Sequence, residues 1–328
     1  MRTLFAGDRP DLSVVVAPTE RGESLPGALA ALAAQEHPPS FEVIVPIDAS
    51  VTGVDALRAR HPGVRFIEVE GTGLLTRSQD IGVRHEAIDR RRSAGLAAAR
   101  SEIIALTEEH ARPAPDWCAR IVALHAALPH AVIGGAIENA VDRALNWALF
   151  FGDAGRYQSP LPEGPARFVS DANVSYKRSP LFEAGESWRA LYHETGLHDE
   201  LGRRGHTLWL TPALVVRQDR GRIGLGPALR ERFAWARLYA GRRVGEIRPG
   251  RRWLLAAGTP LLGPLLLLRQ AREAWSRGAN RVPFLRSLPL LALMGLVRGV
   301  GELVGYVTGR ATSGEPSVPP PLSGRARP

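Results

Sequence analysis

The chain has 328 residues, 45% of them apolar and 23% charged, with a single cysteine and a formal net charge of +9. That length suits one large domain or two ordinary ones, and the composition excludes a disordered chain. Cys118, standing alone, excludes an internal disulfide and any multi-cysteine metal site. The charge is unevenly placed. From Gly221 onward eighteen arginines stand against five glutamates, a balance of +13, so residues 1–220 carry −4. Met1 to Asp11 contains Asp8, Arg9 and Pro10 and lacks the apolar run of a secretory signal, so cytoplasmic chemistry is expected.

The N-terminal half alternates strand and helix signals. Leu12 to Ala17 reads as a strand ending at Pro18, and Ser24 as the cap of a helix through Gln35. Phe41 to Ile47 is a second strand, Val54 to Arg60 a helix and Val64 to Val69 a third strand. This βαβαβ order predicts an α/β fold with a mostly parallel sheet flanked by helices. A helical pattern from Ile81 to Arg100 leads into the apolar run Ile103 to Leu106, after which Glu108, Glu109 and His110 emerge together. The carboxyl ends of parallel strands are where open α/β sheets bind ligands. A hard divalent cation carrying a diphosphate suits such an acidic cluster. Asp116 caps a helix to about Leu128, and Ala131 to Ala136 is a further strand. Residues 137–167 show no readable pattern.

The basic C-terminal third is built differently. Eight arginines between positions 230 and 252 precede Trp253 to Leu268, sixteen residues without a charge. A second apolar stretch runs from Val282 to Val307 and contains Arg286, Arg298 and Glu302. Arginines beside apolar segments point to an anionic lipid surface. A nucleic-acid partner is not expected, because stacking aromatics are not interleaved with the arginines and no recognition motif is present. The first stretch carries Pro260 and Pro264, and the second carries charges, so neither is a clean membrane span. Arg298 and Glu302 lie four apart and can pair on one face, which fits a re-entrant hairpin, two helices lying in the interface, or a buried hairpin of a soluble protein. Residues 311–328 are rich in Pro, Ser and Gly and are expected to be disordered.

The order of these motifs resembles the family 2 glycosyltransferases, which have the GT-A nucleotide-sugar-binding fold. The resemblance rests on Val14-Val15-Val16-Ala17-Pro18-Thr19, Ile47-Asp48-Ala49-Ser50, the Arg92 to Arg100 helix, Glu108-Glu109-His110, Ser170 to Arg178, and Glu194 to Gly205. It covers about Leu12 to Asp219. It implies a catalytic domain over 1–220; the composition adds a basic, hydrophobic membrane-associated helical region over 221–310 and a tail over 311–328. It further implies nucleotide-sugar contacts at Pro18, Thr19, Glu20, Asp48, Arg92 and Glu108, and a divalent Mn or Mg ion at Glu108, Glu109 and His110. Asn173 and Arg204 are implied for the donor and acceptor pocket, and Asp199 or Glu200 for the catalytic base. The metal motif departs from the family's Asp-rich pattern, and the spacing of the base motif is one residue off. The implied reaction is inverting transfer of a sugar from a nucleotide-diphosphate sugar to a hydroxyl acceptor, a lipid-linked sugar or a polysaccharide, at the cytoplasmic membrane face. The alternative is a non-catalytic relative acting as a membrane-bound binding or scaffold subunit. A dinucleotide oxidoreductase is disfavoured: no Gly-x-Gly-x-x-Gly follows the first strand, and Gly22 and Gly27 are too far apart to form it.

Overall fold

The computed structural model describes residues 9–76, 78 and 80–311. The predicted tail lies almost wholly outside the described residues. The chain divides into two compact units, one drawn from residues up to 79, 83–142 and 153–221, the other from 80–82, 143–152 and 222 onward.

The first unit is an α/β domain. Its strands are β1 (Leu12–Ala17), β2 (Phe41–Ile47), β3 (Val64–Glu68), β4 (Ile103–Glu108), β5 (Ala111–Pro113), β6 (Val132–Asn139), β7 (Gly164–Ala166), β8 (Asn173–Lys177) and β9 (Leu208–Gln218). They form one sheet in the order β3-β2-β1-β4-β8-β6-β9-β5, with β7 paired to β9. The first four are mutually parallel, β8 runs against β4 and β6, and β6 and β9 run parallel to each other. The sheet is therefore mostly parallel, as the alternating pattern predicts.

Every residue of β1 and β2 is buried, which explains why these segments read as continuous apolar runs. Alternate residues serve opposite faces. Val14 and Val16 pack with α1 (Leu25–Ala33) and Trp117 of the helix Trp117–Ala127, whereas Val15 and Ala17 pack with Leu96, Tyr176 and Trp188. The helix Ile81–Ala98 lies close on this second face. A Cβ at Gly95 would sit 2.3 Å from Val15 Cγ1, so only glycine permits this approach. That contact fixes the height at which the neighbouring Arg91 and Arg92 meet the sheet edge.

Numbered in chain order, the helices are α1, α2 (Val54–Arg60), α3 (Thr72–Thr76), α4 (Ile81–Ala98), α5 (Trp117–Ala127), α6 (Ala144–Asp153), α7 (Arg178–Glu183), α8 (Glu194–Arg203), α9 (Leu225–Val244), α10 (Pro249–Arg277) and α11 (Arg281–Thr308). Most of α6 and all of α9 to α11 belong to the second unit. There α11 packs against both α9 and α10. The prolines at 260 and 264 do not interrupt α10, which is one continuous helix of 29 residues.

Candidate active site

Parallel pairing sets Ala17 of β1 opposite Glu108 of β4 and brings the β2 end alongside. The residues that follow these strands, Pro18-Thr19-Glu20, Asp48 and Glu108-Glu109-His110, thus share one sheet edge, with α4 supplying Arg91 and Arg92.

Two ionic networks sit at this edge. The first is centred on Arg91, whose side chain is fully buried. It donates from Nε and Nη2 to Asp48 Oδ2 at 2.9 and 2.6 Å, and from Nη1 to the Pro18 carbonyl at 2.8 Å. The Ser50 amide donates to Asp48 Oδ1 at 2.8 Å, and the Thr72 hydroxyl to Oδ2 at 2.6 Å. Burial works to raise the Asp48 pKa, but hydrogen bonds from Ser50, Thr72 and Arg91 outweigh it and lower the value to about 2. Asp48, expected beside the nucleotide, is thus committed to joining the loops after β1, β2 and β3.

Glu109 does similar work for the loop after β1. It is fully buried, and its Oε1 accepts the amides of Thr19 and Glu20 at 2.9 and 2.6 Å, while Oε2 accepts the Ser24 amide at 3.3 Å. Glu109, expected as a cation ligand, is thus held by backbone donors, and the Thr19 and Glu20 amides, expected at the nucleotide, both donate to Glu109.

The second network surrounds Arg92, also buried. Its Nη1 lies 2.9 Å from Asp89 Oδ1, and its Nη2 lies 2.7 Å from both Glu108 Oε1 and Asp171 Oδ2. The guanidinium carbon sits 5.8 Å from the Tyr192 ring centroid. Beside it, Glu194 Oε2 accepts the Asp171 amide at 3.3 Å. Three carboxyl groups therefore share one guanidinium, with a fourth, Glu194, beside them. Burial, joined by the charge of Asp171, raises Glu108, and the same two causes push Glu194 up to about 8. Burial also raises Asp89, against the opposing pull of Arg92.

Arg92 and Glu108, both named from the sequence, meet in this network, whereas Asp89, Asp171 and Glu194 were not singled out. A helical signal for Glu194 exists. Leu197, His198 and Leu201 are buried, and Glu194 precedes them at the i, i+3, i+4, i+7 spacing of one helix face. Asp199 and Glu200, expected as the base, lie on the other face. Asp199 pairs with Arg167 at 3.2 Å, and Glu200 pairs with Arg203 and with Arg204 at 2.6 Å. Arg204, expected in the pocket, is held in that surface pair. Asn173 is fully buried and joins strands, donating to the carbonyls of Ala136 and Leu214 and accepting from the Trp117 indole.

The expected three-residue cation cage does not form. Among the described residues no group of three or more His, Cys, Asp or Glu side chains converges as a metal site. Glu108 is held by Arg92 and Glu109 by amides. His110, pushed towards its neutral form by burial, has its Nε2 3.8 Å from a Glu20 carboxylate oxygen. Its buried Nδ1 has no partner among the described residues. One imidazole nitrogen facing one exposed carboxylate is too small a donor set for the expected ion.

No family model matches the chain, and no curated protein matches it in sequence. Similar solved structures include the mannosyltransferase PcManGT from Pyrobaculum calidifontis in complex with GDP-Man and Mn2+, at 18% identity and a TM-score of 0.47, covering 92% of this chain and 86% of that one. S. aureus TarS 1-349 in complex with UDP-GlcNAc is similar at 12% identity and a TM-score of 0.46, covering 92% of each chain. GalNAc-T7 with UDP, GalNAc and Mn2+ is similar at 13% identity and 0.46, covering 66% of this chain and 45% of that one.

Proposed function

We propose that the chain is an inverting glycosyltransferase moving a sugar from a nucleotide-diphosphate sugar to a hydroxyl acceptor, a lipid-linked sugar or polysaccharide, at the cytoplasmic face of the membrane. The observation that carries this reading is the Arg92 network at the carboxyl ends of the parallel strands, with Glu194 raised to about 8 beside it. A general base works best with a pKa near the operating pH, and a partly buried carboxyl raised in this way meets that requirement. The six-motif resemblance supports the donor class.

In the proposed reaction the acceptor oxygen attacks the anomeric carbon from the face opposite the leaving group. The new carbon–oxygen bond forms as the bond to the diphosphate breaks, and the acceptor proton passes to Glu194. Arg92 stabilises the charge that develops on the departing diphosphate. It holds three carboxylates at rest, so donor phosphate competes for its two Nη groups. The Asp48–Arg91 and Glu109 networks take no part in proton transfer; they fix the loops that form the site's wall.

One observation favours a second reading, a non-catalytic binding subunit: the expected cation cage is absent from the described residues. The two readings separate in one experiment. The purified full chain is titrated calorimetrically with UDP-, GDP- and dTDP-sugars, and each donor that binds is assayed for hydrolysis and transfer. Binding with turnover supports the transferase. Binding without turnover supports the binding subunit, and no binding to any donor in a folded protein overturns both.

A further inference from the structure

We propose that α10 and α11 form a hairpin lying in the plane of one anionic membrane leaflet, not a pair of helices crossing the bilayer. This rests on the membrane association in the reading above and settles its geometry. Both helices are long and apolar enough to cross a membrane, with mean hydropathies of 1.3 and 1.6 in their apolar windows. Only 17% of the apolar window of α10 and 39% of that of α11 is buried, so neither is the core helix of a soluble domain.

Beyond Arg286, near the turn, the exposed face of α11 is apolar. Val282, Leu285, Leu296, Val300, Leu303 and Val307 are 38–66% exposed and recur at helical spacing, with exposed Pro289 and Ala292 continuing the stripe. On α10, Trp253, Leu254, Leu261, Leu265 and Leu268 are 55–72% exposed. Two of the charges within α11 lie off this stripe and pair with each other: Arg298 lies 3.3 Å from the buried Glu302. The two helices cross closely. A Cβ on Gly263 would meet the Gly295 backbone at 3.2 Å, and one on Gly299 would meet the Thr259 carbonyl at 2.9 Å. These contacts set an antiparallel register, in which the Trp275 and Phe284 rings lie 5.8 Å apart near the turn.

That register collects arginines at both ends of the apolar band. Arg248 and Arg251 precede it at one end, where Arg252 donates to the carbonyls of Tyr306 and Val307. At the other end exposed Arg269 and Arg272 of α10 lie level with exposed Arg286 of α11. Two arguments then exclude a crossing. The uncharged stretch of α10, Trp253 to Leu268, rises only about 22 Å, against a hydrocarbon core of about 30 Å. A spanning hairpin would also carry Arg269, Arg272, Arg277, Arg281 and Arg286 across the bilayer with its turn, against the retention of arginine-rich loops on the cytoplasmic side. Lying flat, the same hairpin sinks its apolar stripes to the acyl boundary and sets both arginine groups among anionic headgroups of one leaflet.

The test uses the full chain with phosphatidylcholine vesicles, with and without phosphatidylglycerol, in co-sedimentation. Binding should require the anionic lipid and weaken with salt. Replacing Arg269, Arg272 and Arg286 by Gln, or separately Arg248 and Arg251 by Gln, should each weaken it about tenfold or more, with unchanged thermal unfolding as the folding control. Ala279→Cys in the turn gives the topology, because Cys118 is fully buried. The inference expects labelling by an impermeant maleimide only from the side to which the protein was added. Labelling of Ala279→Cys from the far side overturns the flat hairpin and leaves membrane association standing, as does an effect of only one arginine group. Absence of vesicle binding, including a soluble dimer that covers the stripes, overturns both.

Discussion

The two arginine networks occupy the same sheet edge and begin from adjacent residues of one helix, yet they are electrostatic opposites. Around Arg91 the acid and base are balanced. Asp48 receives a guanidinium, two hydroxyls and an amide, and its pKa falls to about 2. Around Arg92 acid is in excess: Asp89, Glu108 and Asp171 contact the one guanidinium, Glu194 stands beside them, and its pKa rises to about 8. A satisfied network specifies structure, whereas one with surplus buried acid holds a proton-transfer group near neutrality. The glutamates of the sequence motif divide along the same line, Glu109 going to the loop and Glu108 to Arg92.

The sharpest way to break this comparison is to neutralise the surplus side. Glu194→Gln keeps the shape but removes the base, and should lower kcat by about 10²–10⁴-fold with donor affinity retained in calorimetry. In the wild-type protein kcat/KM should rise with pH through about 8, because a raised carboxyl ionises only there, and the variant should lose that limb. Equal activity of wild type and Glu194→Gln would return the base to an unassigned residue.

The balanced side should answer in stability. Arg91→Met leaves the Asp48 carboxylate buried without its counter-charge and should cost about 3–5 kcal/mol in denaturant unfolding. The sign of its pH dependence follows from the lowered pKa. Asp48 contributes stability that is complete above its ordinary 3.8 and is lost as the pH falls from there through about 2. The Arg91→Met protein should therefore lose less additional stability on acidification than the wild type. A parallel loss in both would show that Asp48 owes its low pKa to Ser50 and Thr72 alone.

Much of the N-terminal architecture was legible because parallel strands buried on both faces announce themselves as apolar runs. Leu12–Ala17, Phe41–Ile47 and Val54–Arg60 have the boundaries their patterns predict. Asn173–Lys177 and Leu208–Gln218 were not read as strands, since Asn173 and Ser175 are polar residues satisfied inside the sheet. Pro260 and Pro264 counted against a clean membrane span; both lie on the exposed face of α10 and leave the helix continuous. The site was half legible. Strand ends identified the edge, while adjacent acids such as Glu108 and Glu109 gave no sign in sequence that they serve different networks. Asp89 and Asp171 reach Arg92 from two elements that only the fold brings together.

The smallest expected effect falls where the sequence put the base. Asp199 lies on the outward face of α8, with a side chain 45% exposed and, among the described residues, paired only with the more exposed Arg167. Surface pairs of this kind contribute about 0–1 kcal/mol, and neither partner contacts the Arg92 network. Asp199→Asn should therefore change kcat less than about threefold, below the 10²-fold floor for removing a general base, and should barely move the unfolding midpoint. A hundredfold loss in Asp199→Asn would mean that α8 turns on substrate binding, exchanging its inward Glu194 face for its outward one. The helix resists that rotation: Leu197 and Leu201 are fully buried on the inward face, and turning them into water would forfeit about 1.5–3 kcal/mol each.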